Sequence, residues 1–257
     1  MTVLDKLLYT IKTGWIVTSV DVGNNWVLAQ VQDEAGQLRA GVAAAPRTFP
    51  DVPAFPVGSH SPNVSAHKLT EGLRSSDPSA SAVGLATLNA VNAPDEHQIT
   101  TEDAADWLSE QTHNKAIAIF GRFPFIQDEI KPFASDVFVF EQTPNDGEYS
   151  AEDMPTVLPK ADLIAITGTT IINHTIDDIL QHTIDQQTVV VLGPSTPLTT
   201  LLFDFGIDVM FGVRVVDVDA VRESVQSHLG FQKVQGLQRV SLFRDVHYRG
   251  AEDTEKG

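Results

Sequence analysis

Short apolar runs alternate with helical spacings through the second half of the chain. Residues 162–166 form one such run. It breaks into Thr167-Gly168-Thr169-Thr170, and helical spacing follows at Ile171, Ile172, Ile176, Ile179 and Leu180. Residues 188–192, almost all β-branched, form a second run. It breaks into Gly193-Pro194-Ser195-Thr196-Pro197 before helical spacing at Leu198, Leu201, Leu202 and Phe205. Residues 207–211 are a third run. Near-continuous apolar strands alternating with amphipathic helices predict a parallel sheet covered on both faces. Upstream, residues 115–120 and 136–140 read as strands joined by the turn Gly121-Arg122-Phe123-Pro124 and a short helix over 125–131. A helix over 217–228, capped by Asp217, and a last strand over 240–243 follow the five strands of this Rossmann-like unit.

The first part of the chain has a different rhythm. Leu4, Leu7, Leu8 and Ile11 share one helical face. Residues 16–21, 26–32 and 38–44 are strand-like, and their tight turns predict an antiparallel meander. Gly23-Asn24-Asn25 reads as a hairpin turn using positive φ. Residues 46–62 contain five prolines and no clean period, a long loop of the kind that often faces ligands. Helices follow over 64–74 and 79–91, the second with Ser79 as its cap. That second helix is rich in small residues and carries Asn89 in an apolar context. Residues 92–101 read as a linker, and Thr101-Glu102-Asp103 opens the next helix. The expected fold class is α/β, a Rossmann-like parallel sheet preceded by a small α+β unit. The expected domains are residues 1–95 and 96–250, with a frayed tail at 251–257.

Composition narrows the chemistry. The 257 residues include no cysteine, which removes disulfides, thiolate nucleophiles and cysteine metal sites. Lys and Arg number 17 against 34 Asp and Glu, a net charge of −17. Such a surface repels nucleic acid and anionic lipid, and neither is expected as a partner. It also resembles the surfaces of proteins from salt-loaded cytoplasms. With no basic-then-apolar leader and no long apolar window, the expectation is a cytoplasmic protein without a membrane partner.

Candidate chemistry gathers at the three turns that leave the predicted parallel strands, because open α/β sheets bind ligands at that edge. Each turn is expected to lead into a helix whose free N–H groups and dipole favour an anion, with Pro124 and Pro197 at first helical positions. Glu141 ends the second strand, twenty positions after Gly121, where nucleotide-binding units hold ribose hydroxyls. The bulky Arg122-Phe123-Pro124 turn argues against pyrophosphate, so NAD is not expected, whereas adenosylmethionine is less excluded. His60 with His67, and His174 with His182, have no recognised ligand spacing, and no metal ligands are assigned. Ser195 is not on a G-x-S-x-G elbow.

The motifs ADLIAITGTTIINHTIDDIL and VVLGPSTPLTTLLFDFGIDVMFGVRVVD resemble the DUF364 family, named for heavy-metal chelation. VDVGNNWVLAQV and VGLATLNAV resemble the DUF4213 domain that precedes it. The resemblance implies an enolase-N-terminal-like α+β domain before a Rossmann-like domain, with a site between them. It carries over Gly168, Thr169, Thr170 and Asn173 from the first motif and Gly193, Pro194, Ser195 and Thr196 from the second, with Asn89, Phe123 and Glu141 beside them. The expected ligand is a small organic molecule, chelator-, pterin- or siderophore-like, or a metal chelate, with its anionic part toward the turns. Glu141 is the candidate acid or base for condensation or hydrolysis. A methyltransferase and a non-catalytic chelate-binding protein are the alternatives. The cofactor is left unassigned and a homo-oligomer is left open.

Overall fold

The computed structural model describes residues 1–11, 13–46, 64–230 and 233–244. The proline-rich stretch from 47 onward, with His60, and the tail at 251–257 lie outside these residues. No described helix is long and apolar enough to cross a membrane.

Two sheets carry the chain. The first is antiparallel: β1 (Ile16–Val22), β2 (Trp26–Gln32) and β3 (Leu38–Ala44) form the expected meander, and β4 (Val64–Ser65) pairs with β1 on its other side. The helix expected over 64–74 therefore starts later. It is α2 (Ala66–Thr70), followed by a 3-10 turn over Glu71–Arg74. The small-residue helix is α3 (Pro78–Val91), and it packs on β2 and β3. Its cap is Asp77, whose carboxylate accepts from the Ser79 N–H at 2.9 Å, and not Ser79 itself. The β1–β2 turn uses no positive φ either, because neither asparagine and no glycine there adopts it.

Period-two burial runs along both faces of this sheet. Val27, Ala29, Val31 and Ala43 share a core with the α3 residues Ala82, Leu85, Ala86 and Leu88. Trp26, Leu28 and Val42 point the other way and meet Val221 and Val225. Those two belong to α7 (Val218–Gln226), late in the sequence. The N-terminal helix α1 (Val3–Tyr9) does the reverse. The Val3 N–H donates to Asp177 at 2.8 Å and Lys6 pairs with Asp204 at 3.0 Å. Each half of the chain thus lends a helix to the other.

The second sheet has six strands, in the order β10-β9-β8-β7-β5-β6. β5 (Ala116–Phe120), β6 (Asp136–Phe140), β7 (Leu163–Thr167), β8 (Thr188–Leu192) and β9 (Val209–Val215) are parallel, and β10 (Leu237–Phe243) runs antiparallel beside β9. β10 is longer than expected and adds a sixth strand, because polar Gln238 and Arg239 break its apolar run. Both sheet edges are covered. Thr100, in the expected linker, bridges Ser241 on β10, and Tyr149 bridges Phe140 on β6. One face packs against α4 (Ala104–Gln111) and the turn after β5 through Leu108, Ile126 and Ile130. The other face shares the core that contains α3.

The crossovers are shorter than the spacing predicts. A π-helical turn over Ile126–Ile130 follows β5, and the four-residue α5 (Met154–Val157) lies between β6 and β7. A 3-10 turn over Gly168–Thr170 and the five-residue α6 (Ile176–Leu180) follow β7, and a 3-10 turn over Thr200–Phe205 follows β8. His174, at φ 61°, interrupts the helix expected from 171. Pro124 and Pro197 each precede the capping residue, so neither holds a first helical position. Helices this short have little aligned dipole, which removes the main reason to expect an anion at these turns.

The contact between α7 and the first sheet is close. A Cβ on Gly23 would lie 2.2 Å from the Val225 carbonyl oxygen. Arg222 donates to Asp21 at 3.0 Å beside it, and the indole of Trp26 donates to the Leu229 carbonyl at 3.0 Å. Gly23→Ala forces the helix away and should lower unfolding free energy by about 2–3 kcal/mol. Urea denaturation followed by circular dichroism measures this, and an unchanged midpoint would show that the seam can relax.

Candidate functional site

The order β6-β5-β7 makes β5 and β7 the topological switch of the second sheet, since the chain steps to β6 on one side of β5 and returns to β7 on the other. A cavity of about 800 Å³ opens at the C-terminal ends of these strands. Its lining residues all lie between Phe120 and Ile179. Phe120 and Phe140, neighbours in the parallel register, stack at 4.6 Å between ring centroids and form an aromatic floor with Met154 and Ile179. The hydroxyls of Ser150, Thr167 and Thr169 and the amide of Asn173 supply polar walls.

Four of the residues singled out in the sequence meet here: Glu141, Thr169, Thr170 and Asn173. The Glu141 side chain is 20% exposed, and its Oε1 lies 3.8 Å from Arg122 Nε. The hydroxyls of Thr169 and Thr167 are 3.1 Å apart, and Thr170 donates to the Thr167 carbonyl at 2.7 Å. Asn173 Oδ1 accepts from the Thr175 N–H and hydroxyl, which leaves its Nδ2 group facing outward from that turn.

Arg122 stands at the cavity wall, half exposed, and its charge is already taken. Glu148 accepts from its Nε at 3.1 Å and its Nη2 at 2.6 Å, a two-pronged pair, and the Thr143 carbonyl accepts from the same Nη2 at 3.2 Å. The Asn145 N–H also donates to Glu148 at 2.8 Å. These bonds hold the Glu148 carboxyl at a pKa of about 2, first through Arg122 and then through the Asn145 N–H. The loop from β6 is pinned across the strand ends by this pair and by the Tyr149 N–H, which donates to the Val139 carbonyl at 2.8 Å.

The remaining singled-out residues lie elsewhere. Phe123 packs with Phe125 against the α4 face of the sheet, away from the Phe120–Phe140 floor. Ser195 is buried, and its Oγ accepts from the Ala44 N–H at 2.8 Å at the end of β3. Asn89 donates to the Val42 carbonyl at 3.0 Å and to the Ser195 carbonyl at 3.5 Å. Gly168 lies against the same turn, where a Cβ would come within 2.7 Å of the Thr196 nitrogen. Gly193 donates to the Phe211 carbonyl at 3.0 Å and, with Pro194, carries the chain from β8 to Ser195. Asn89, Gly168, Ser195 and Thr196 thus form a joint between α3, β3 and the second sheet. Two atoms in it, Asn89 Oδ1 and Thr196 Oγ1, are buried without a partner.

Sequence reasoning missed the aromatic floor, Met154, and the rim carboxylates Glu152 and Asp178. The equal register of Phe120 and Phe140 at adjacent strand ends is the signal that could have found the floor. Among the described residues no three His, Asp or Glu side chains come together as a metal-holding group.

Family models agree with this architecture. The DUF364 model, described as "Putative heavy-metal chelation", matches residues 103–244, and the DUF4213 model, with the same description, matches residues 4–92. An uncharacterized protein of Methanocaldococcus jannaschii is 30% identical over 143 residues, covering 53% of this chain and 55% of that protein. The chain spans about half the length of this curated relative. Two crystal structures of DUF364 proteins with unknown function share the fold. The one from Desulfitobacterium hafniense DCB-2 has a TM-score of 0.80 at 18% identity, covering 94% of this chain and 98% of that one. The one from Pyrococcus horikoshii has a TM-score of 0.75 at 20% identity, covering 93% and 97%. These likenesses do not favour a methyltransferase.

The Arg122–Glu148 pair makes a pH prediction. The folded pKa of Glu148 lies below its ordinary value of 4.5, so the pair's stabilisation is complete above about 4.5 and is lost as pH falls toward about 2. The carboxyl carbon of Glu148, followed by NMR, should titrate near 2 in the native protein and move up toward its ordinary value in Arg122→Gln, where the Asn145 N–H alone still lowers it. An ordinary midpoint in the native protein would mean that the loop is not pinned.

Proposed function

The chain belongs to the DUF364 family, matched over more than half its length, and we propose that it binds a small organic metal chelate in the cavity at the ends of β5, β6 and β7. The observation that carries this reading is the cavity itself: about 800 Å³ at the sheet's switch point, with an aromatic floor and oxygen-rich walls. A volume of that order suits a compact organic molecule. The donors around it are hydroxyls, amides and separate carboxylates, without cysteine anywhere in the chain. Such walls suit hydrogen bonding to a complex whose metal is already held by an organic ligand, since soft metals bound directly by protein favour thiolate or imidazole. The family description, heavy-metal chelation, fits the same division of labour. Phe120 and Phe140 support the ligand's apolar part, and Thr169 and Asn173 orient its polar part. In any condensation or hydrolysis of the bound ligand, Glu141 is the proton-transfer residue.

The test is native mass spectrometry of the purified protein with elemental analysis of whatever it releases on unfolding. The expected result is an organic compound carrying its metal in equal stoichiometry with the chain, retained by Ser195→Ala and lost from Thr169→Trp, which fills the cavity. Ser195→Ala should instead cost about 1–3 kcal/mol of stability by leaving the Ala44 N–H without its acceptor. Metal retained with no organic partner, or a compound that Thr169→Trp still holds, would overturn the reading.

A further inference from the structure

The charges around the cavity do not balance. Glu141, Glu152 and Asp178 reach its wall from three segments: the end of β6, the loop that follows it, and α6. Arg122 is the one cation among the described lining residues. Its guanidinium is turned to Glu148, which does not line the cavity, and is held there through both Nε and Nη2. Glu148 in turn is fixed by the Asn145 N–H and by the backbone bonds of Tyr149 to β6. An arginine in a two-pronged carboxylate pair has few donors left for a guest. The first helical turns of the two crossovers beside the cavity are three to five residues long and add little positive dipole.

We propose that the cavity selects a cationic guest, and that Glu148 sets this preference by engaging the Arg122 guanidinium at the cavity wall. The proposal rests on the reading of the cavity as a chelate site and names the charge of the chelate. It reverses the expectation of an anion at these turns. Within the cavity, Glu141 is the carboxylate best placed to meet the guest, since it is the most enclosed, shares the wall with the Phe120–Phe140 floor, and lies 3.8 Å from Arg122 Nε, too far for a hydrogen bond to occupy its oxygens. Aromatic rings beside a carboxylate favour cations further. Glu148 is then a specificity-determining residue that acts through Arg122 and does not itself meet the ligand.

Two inert octahedral complexes of similar size and opposite charge test this: hexaamminecobalt(III) and hexacyanocobaltate(III). Each is titrated into the full-length, isotopically labelled protein, with amide NMR shifts as the readout. At about 0.15 M ionic strength the Debye length is about 8 Å, so the rest of the acidic surface acts only weakly on either probe. The cationic complex should shift Glu141, Thr169 and Ile179 saturably, and the anionic complex should leave them unmoved. Glu141→Gln should weaken the cation about tenfold, whereas Glu110→Gln, on the opposite face of the sheet, should not. Glu148→Gln frees Arg122 and should narrow the preference by about tenfold or more, admitting the anion. Anion binding to the native cavity, or an unchanged preference in Glu148→Gln, would overturn the proposal while leaving the cavity a binding site. If neither complex moves a lining residue, the proposal and the chelate reading fall together. The Glu141→Gln arm stands even if Glu148→Gln does not fold.

Discussion

The structure depends on one seam, where α7 lies against the antiparallel sheet. The first sheet is apolar on both faces, so it needs two covers. α3 supplies one from its own half of the chain. The other comes from beyond β9, almost 200 residues later, and it must approach to backbone contact at Gly23. Once that helix is seated, β9 is committed to both units. Its first residues stay in the parallel sheet, and Val213 and Val215 join the core beneath Trp26 and Leu28. The Arg222–Asp21 pair adds direction to the contact more than net stability, since a largely buried ion pair gives back much of its attraction in lost hydration.

The seam explains why residues that look like one site divide into two groups. The Gly193–Thr196 turn sits where β8 ends and the first sheet begins. Its polar atoms go to the end of β3 and to α3. The Thr167–Thr175 turn has two sides. Gly168 lies against Thr196 and serves the joint, while Thr169 and Thr170 line the cavity. Short polar turns at adjacent strand ends look alike in sequence. Only the arrival of the other sheet decides which of them keeps free hydrogen-bonding groups.

Much of the architecture is legible because apolar runs are strong signals. β5, β7 and β8 are five-residue runs with nothing polar inside them, and Asp103 and Asp217 cap the helices that the spacing predicts. β10 is harder to see, because polar Gln238 and Arg239 occupy its less buried first half. Ser79 and Asp77 are equivalent by residue type, and only the chain geometry selects Asp77. The site is less legible than the fold for a specific reason. Its floor comes from the register of Phe120 with Phe140, and its charge comes from the loop that brings Glu148 to Arg122, 26 positions away. The register leaves only the matched phenylalanines at the ends of two strands, and the loop closure leaves no local pattern.

The position of the cavity follows from the crossovers. The turn after β5 packs its apolar side chains on the α4 face, and the segment after β7 places α6 on the other. The two connections therefore part as they leave adjacent strands, with Gly121 and Thr167 at the point of divergence. The gap would open to solvent on its third side if the β6 loop ran outward. Tyr149 returns that loop to the edge of β6, so the loop becomes a wall. The pair that helps pin the loop is the Arg122–Glu148 pair, so the same bond that closes the cavity also removes its one positive charge. Shape and charge are therefore coupled in this fold. Glu148 is the point where they meet, and because the Tyr149 backbone bonds to β6 hold the wall on their own, a substitution at Glu148 changes the charge more than the shape.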